Sequence, residues 1–215
     1  MSELRAEYLA ALGIGVWVRR GGQSAQVEGG PGWEELALAV RGCELCALHR
    51  TRTQTVFGVG NRNADLLVIG EAPGADEDRQ GEPFVGRAGQ LLTAMLAAIH
   101  LSRKDVYIAN ILKCRPPNNR DPKAEEGAAC TPYLERQIEL VSPRVILALG
   151  RIAAQWLLQS DRPIGRLRGT IQSYGSKSIP LVASYHPAYL LRSPLAKAKA
   201  WEDLLLVRRL LRQQS

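Results

Sequence analysis

The stretch at residues 65–92, DLLVIGEAPGADEDRQGEPFVGRAGQLL, restricts the possible folds of this chain most strongly. It opens with an apolar run at 66–69, which is typical of a strand buried on both faces of a parallel sheet. Glycine and proline at 70–74 and again at 81–86 then interrupt regular structure. Because open α/β folds bind ligands at the carboxyl ends of their strands, the stretch predicts a binding site in these loops.

Apolar runs elsewhere predict three further strands, at residues 106–110, 144–149 and 179–184, and a loop at 185–194 follows the last of them. Alternating strands and helices indicate a layered α/β domain with a mostly parallel sheet. We expect the helix after Asp121 to start there, because aspartate caps helices and proline suits the first turn. Helical spacing predicts helices that begin near Trp33, Gly86, Asp121, Gly150 and Leu195.

Length and charge narrow the class of protein. The 215 residues suffice for one domain at 33–215, after an N-terminal extension and linker at 1–32. A net charge of +7 suits a polyanionic partner such as DNA or RNA, although a basic enzyme of another kind would carry the same charge. No apolar run is long enough to cross a bilayer, and charges occupy the place of a signal peptide's apolar segment. We expect a cytoplasmic monomer that does not bind membranes.

The four cysteines predict a metal site. Cys43 and Cys46 form a C-x2-C pair, whereas fifteen residues separate Cys114 from Cys130. Cytosolic thiols stay reduced, which favours metal over disulfides, with four unrelated buried thiols as the alternative. The spacing does not distinguish four-thiolate zinc from a [4Fe-4S] cluster, because both use four cysteines. None of the four lies in a strand-end loop, so we expect a structural role.

Side chains in three strand-end loops have the chemistry of a pocket for a flat heterocycle. They are a carboxylate, an aromatic ring, an amide and an imidazole, from Glu71, Phe84, Asn110 and His186. An aromatic face stacks on a heterocycle, an amide reads its edge, and a histidine stabilises an anion on a leaving group. Alone, Phe84 could belong to the core and Asn110 to a turn. His186 could be a surface residue, and Glu71 a helix cap or ion-pair partner, so the hypothesis depends on their coincidence.

Four segments resemble the motifs of a known family. GEAPGADED, GEPFVGRAGQLL, NILKCRPPNNRDP and SYHPAYLLR closely resemble those of the family 4 uracil-DNA glycosylases, the iron–sulfur type of bacteria and archaea. The resemblance spans about residues 33–212 and includes the four cysteines in the family's order. It implies a three-layer α/β sandwich with a central four-stranded, mostly parallel sheet. It also implies a structural [4Fe-4S] cluster, with zinc as the alternative, and hydrolysis of the N-glycosidic bond of deoxyuridine in DNA.

The resemblance further implies roles for single residues in the base site. Phe84 would stack on the flipped base, Asn110 would read the uracil edge, and Gly70 would belong to the same substrate site. His186 would donate to uracil O2 as the base leaves as an anion. The implied substrate is uracil-containing DNA, single- or double-stranded.

The resemblance also concerns DNA contacts and the attacking water. Leu190 resembles a wedge that fills the hole left by the flipped nucleotide, and Arg192 would hold a phosphate. At the position of Ala72, family 1 enzymes have an aspartate that orients the water. The implied mechanism is therefore dissociative, with a water held by backbone carbonyls near Glu71 and Ala72 and helped by the Glu71 carboxylate.

Two other functions fit parts of the sequence. The chain could be a glycosylase-like DNA-binding module without chemistry, which would bind uracil-containing DNA and release no base. The first glycine-rich loop could instead bind a nucleotide phosphate. However, Gly70-x3-Gly74 matches neither the dinucleotide fingerprint nor a P-loop, and no lysine follows it as a P-loop requires.

Overall fold

A mixed sheet organises the chain in a computed structural model that describes residues 30–213. Residues 1–29 of the expected N-terminal extension and linker lie outside the described residues. Within them the sheet has six strands, in the spatial order β1-β3-β2-β4-β6-β5. The strands are β1 (Val59–Gly60), β2 (Leu66–Gly70), β3 (Val106–Asn110), β4 (Val145–Leu149), β5 (Ile171–Tyr174) and β6 (Ile179–Ser184).

The four predicted strands form the parallel centre of this sheet, so the α/β class is confirmed and the strand number is corrected. β3, β2, β4 and β6 pair in parallel, and their residues are almost all buried. β1 and β5 add an antiparallel edge on each side. Neither edge strand has a continuous apolar run, because β1 is two residues long and β5 alternates between exposed and half-buried positions.

Helices cover both faces of the sheet and give the expected three layers. On one face α4 and α5 bury residues such as Leu134 and Leu157, and on the other α3 and α8 bury residues such as Leu96 and Leu204. The helices are α1 (Trp33–Arg41), α2 (Ala75–Gln80), α3 (Arg87–Ala98), α4 (Ala124–Val141), α5 (Arg151–Leu158), α6 (Ile164–Leu167), α7 (Pro187–Arg192) and α8 (Lys197–Gln213). None of those in the described range combines the length and apolarity of a membrane span.

The start of α4 differs from the sequence-based expectation. The helix begins at Ala124, and Lys123 occupies the position before it. The carboxylate of Glu126 accepts a hydrogen bond from the Lys123 amide at 2.9 Å and closes the first turn. Asp121 is drawn away from capping because its carboxylate pairs with Arg151 at 2.7 Å.

The segment after β6 is more regular than the expected loop. Pro187 to Arg192 form the short helix α7, with proline at its first position and His186 as its N-cap. Behind it, Asp203 of α8 is fully buried and accepts hydrogen bonds from the Ser184 hydroxyl at 2.7 Å and from the Arg168 guanidinium at 2.8 Å. The bond between Asp203 and Ser184 holds the end of β6 against α8. It thereby helps to position His186, two residues further along the chain.

Candidate functional site

The β2–β3 pair brings the first candidate residues together. Gly70 and Asn110 are opposite each other at the ends of the two parallel strands. The pairing continues past the strands, because the amides of Ile111 and Leu112 donate to the carbonyls of Gly70 and Glu71, each at 3.0 Å. Gly70, Glu71 and Asn110 therefore lie side by side at the carboxyl edge of the sheet, as strand-end chemistry requires.

Asn110 has an unusual environment for an amide. Its side chain is 2% exposed, and among the described residues its Oδ1 atom has no hydrogen-bond partner. A Cβ atom placed on Gly70 would lie 2.4 Å from this oxygen and 2.7 Å from Cζ of Phe84. The missing side chain at Gly70 therefore keeps open the space that the amide and the ring share. A buried acceptor without a partner is costly, which indicates a donor supplied from outside the chain.

Phe84 is held in a conformation that phenylalanine rarely adopts. Its φ angle is +56°, and Arg103 donates to the carbonyls of Pro83 at 2.8 Å and Phe84 at 3.1 Å. A Cβ atom on Gly89 would lie 1.7 Å from the Phe84 carbonyl oxygen, so α3 approaches this close only because residue 89 is glycine. The ring stacks on His186 with centroids 5.5 Å apart.

Glu77 fixes the two glycine-rich loops to each other, and the sequence analysis missed it. Its carboxylate accepts from the amide of Gly74 at 3.1 Å and from the amides of Val85 and Gly86 at 3.0 and 3.2 Å. The first of these bonds caps α2, a helix that the sequence did not predict. A glutamate three residues after Gly74 was the signal for this cap.

The proton on His186 is fixed by its position at the start of α7. Its Nδ1 atom accepts from the Ala188 amide at 3.1 Å, so the neutral ring carries its proton on Nε2. Burial, helped by Arg192, lowers the pKa of His186 to about 4, while Glu77 acts in the opposite direction. The imidazole is therefore a neutral donor at physiological pH.

Glu71 is the titratable group of the site whose charge changes near neutral pH. Burial and the nearby carboxylate of Asp121 raise its pKa to about 7, and Arg151 partly offsets them. The next residue, Ala72, is half-buried and supplies no side-chain base. Of these two residues, Glu71 alone can supply a carboxylate.

The two candidate DNA contacts differ in exposure. Arg192 is exposed at the end of α7, as a phosphate contact requires. Leu190 is 1% exposed and belongs to the apolar core beside α3 and α8, which argues against its insertion into DNA. Leu191 and Tyr189 point outward instead, at 38% and 40% exposed. The wedge role stays a prediction for Leu190, with the exposed Leu191 as the alternative on the same helix.

The four cysteines meet between α1, the segment after β3, and α4. All four thiols are free, and Cys114 and Cys130 are 4% exposed. Burial raises the pKa of both, that of Cys130 to about 11, and the charges of Cys43 and Cys46 also act on Cys114. These effects indicate that Cys43 and Cys46 lie near Cys114, and that Cys46 and Cys114 lie near Cys130.

Hydrogen-bond donors surround the cysteine sulfurs. The Arg52 guanidinium donates to Sγ of Cys114 at 3.1 Å, and the Lys113 amide donates to Sγ of Cys130 at 3.4 Å. Such donors suit thiolates more than neutral thiols. Within residues 30–213, no three His, Cys, Asp or Glu side chains are arranged closely enough to hold one metal ion.

Comparisons with known proteins agree with this geometry. The profile of the Uracil DNA glycosylase superfamily matches residues 57–205. The chain is 47% identical over 177 residues to a type-4 uracil-DNA glycosylase of Archaeoglobus fulgidus, covering 79% of this chain and 88% of that protein. A Thermotoga maritima protein of the same name is 46% identical over 162 residues, covering 74% and 83%.

A uracil-DNA glycosylase of another type is less similar. A type-5 uracil-DNA glycosylase of Pyrobaculum aerophilum is 34% identical over 146 residues, which cover 61% of this chain and 64% of that protein. The type-4 proteins match more of the chain and at higher identity. The chain therefore belongs to the uracil-DNA glycosylase superfamily and, within it, to the type-4 uracil-DNA glycosylases.

Proposed function

We propose that this chain is a DNA-repair glycosylase that hydrolyses the N-glycosidic bond of deoxyuridine in DNA, releasing uracil and leaving an abasic site. The observation that carries the proposal is the unpartnered Oδ1 atom of Asn110 at the base of an open space beside Phe84. Uracil presents an N3–H donor to such an acceptor, whereas cytosine presents a bare nitrogen and would leave two acceptors facing each other. The pocket thus has a physical reason to distinguish the two bases.

Base flipping follows from the burial of the pocket. Phe84 and Asn110 are 6% and 2% exposed, so a base stacked in a duplex does not reach them. The uracil nucleotide therefore has to leave the helix and enter the pocket, where Phe84 supplies a stacking face. Single-stranded DNA needs no unpairing, which makes both strand forms substrates.

Catalysis would depend on how the pocket holds charge as the bond breaks. The C1′–N1 bond breaks with its electron pair on uracil, and Nε2–H of neutral His186 donates to O2 of the departing anion. A water then adds to the oxocarbenium carbon, positioned near the backbone of Glu71 and Ala72. The Glu71 carboxylate accepts the proton that this water loses.

We further propose that Cys43, Cys46, Cys114 and Cys130 hold a [4Fe-4S] cluster. Four neighbouring thiols with N–H donors to their sulfurs fit the donor set of such a cluster. Zinc held by the same four thiolates is the alternative. When bound, the cluster would supply metal–thiolate bonds that tie the segment after α1 to α4, a structural role.

The proposal also covers the domain that carries the activity, the cellular compartment and the oligomeric state. The activity is assigned to the domain predicted at residues 33–215, with 1–32 as an extension. Free cysteines suit a reducing cytoplasm. The sheet is covered by the chain's own helices on both faces, which favours a monomer.

Replacing Asn110 tests the base-reading role. We expect Asn110→Ala to reduce the single-turnover rate of uracil release from a single-uracil oligonucleotide by about 100-fold, because the buried edge contact is lost. Asn63→Ala, at the opposite end of the sheet, serves as the matched control and should keep the wild-type rate. Equal rates in wild type and Asn110→Ala would contradict the assignment, and no release by wild type would contradict the function.

The pH dependence of the rate tests Glu71. Because its pKa is raised to about 7, the carboxyl is protonated below that pH, and the rate should rise through about pH 7 as the proton leaves. His186 stays neutral down to about pH 4 and adds no limb above pH 5. Rates measured from pH 5 to 9 should lose this rise in Glu71→Gln and keep it in the exposed control Glu135→Gln. A rise that survives in Glu71→Gln would exclude Glu71 as its source.

A matched pair of leucines tests the DNA contact. Leu191→Ala should lower uracil excision from duplex DNA by about tenfold and from single strands far less, because the exposed side chain supports the extruded nucleotide. Leu190→Ala should lower the free energy of unfolding by about 2–5 kcal/mol, because Leu190 is buried. Denaturant unfolding and excision assays on both variants decide the matter, and the reverse pattern would restore Leu190 as the wedge.

Spectroscopy tests the metal. Protein purified without oxygen should absorb broadly at about 400 nm and contain about four irons per chain. Cys114→Ser should lose both the band and thermal stability, because the cysteine site joins three segments. Colourless wild-type protein with about one zinc per chain would decide for the alternative metal.

A further inference from the structure

Lys113 is a buried cation directly below the base site. It is 1% exposed, and its Nζ atom donates to the Asn110 carbonyl at 2.8 Å and to Oε1 of Gln137 at 2.6 Å. Among the described residues no carboxylate compensates its charge. A buried charge without an opposite charge is costly, so this lysine needs an explanation beyond packing.

Gln137 holds the ammonium in a fixed direction. The glutamine is fully buried, and its Nε2 atom donates to the Phe57 carbonyl at 2.9 Å and to the Tyr107 hydroxyl at 3.3 Å. With both amide hydrogens aimed elsewhere, its Oε1 atom faces Lys113. Lys113 thus cannot swing away from Asn110 without losing a rigid acceptor.

The cysteine site supplies the missing negative charge. The Lys113 amide donates to Sγ of Cys130, and Cys114 is the next residue in the chain. Lys113 therefore lies directly beside two of the four cysteines. Metal-bound cysteines are thiolates, which makes them counter-charges for this ammonium.

We propose that Lys113 is a positioning residue that couples the cysteine site to the base pocket. Its ammonium balances the thiolates on one side and holds the Asn110 carbonyl on the other, so the metal site helps to set the amide that reads uracil. The proposal rests on the proposed function and on a metal at the four cysteines. Through Lys113, a cofactor that takes no part in bond cleavage would influence how Asn110 binds uracil.

The test compares Lys113→Met with the exposed control Lys177→Met and the wild type. Methionine keeps most of the volume and removes the charge. We expect the reduction midpoint potential of the metal site, measured by voltammetry, to become more negative in Lys113→Met, because a nearby cation stabilises the reduced cluster. The uracil-release rate should fall about tenfold, as for loss of a charge-assisted hydrogen bond. Lys177→Met should match wild type in both.

A second variant covers the case in which Lys113→Met does not retain its metal. Gln137→Met keeps the ammonium and removes the acceptor that aims it. It should keep a potential close to wild type and still lose about tenfold in rate. Wild-type rates in Gln137→Met, or an unchanged potential in metal-loaded Lys113→Met, would overturn the proposal. A wild-type protein that releases no uracil would instead overturn the function, while the potentials would still test the link to the metal.

Discussion

The pairing of β2 with β3 is the constraint on which both sites depend. Two hydrogen bonds beyond the strands, from Ile111 and Leu112 to the carbonyls of Gly70 and Glu71, keep the two chains in register as they leave the sheet. They place Asn110 at the edge of the sheet that carries the candidate base site, and the chain continues from there to Cys114. This short paired segment therefore positions both the candidate base site and the cysteine cluster.

The central strands could be predicted because their burial on both faces leaves continuous apolar runs in the sequence. Elements stabilised by particular contacts could not. α2 has an acidic sequence without apolar periodicity, and it forms because Glu77 caps it and buried Asp78 accepts from Thr53. The predicted start of α4 was wrong because the Asp121 carboxylate pairs with Arg151 and does not cap the helix. Which partner such a side chain chooses depends on residues distant in the sequence, so the sequence pattern alone does not reveal it.

The site shows the same division. That Phe84, Asn110 and His186 lie close together could be predicted because all three lie at or follow strand ends, while their roles stay predictions. The residues that hold them were missed, because a glutamate or lysine in a polar segment resembles a solvated surface residue. Their hydrogen bonds reveal the importance of Glu77 and Lys113: Glu77 accepts from the Val85 amide, and Lys113 donates to the Asn110 carbonyl. The burial of Leu190 depends on the rotation of a six-residue helix, which the motif does not encode.

The left-handed backbone of Phe84 places a requirement on residue 89 of α3. Any side chain at residue 89 would collide with the Phe84 carbonyl, although α3 is otherwise a helix in which glycine is a poor choice. The position of the Phe84 ring therefore requires a glycine that lowers the stability of α3. Among related sequences, residue 89 should therefore vary less than the exposed residues beside it on α3, although its own side chain contributes nothing to the pocket.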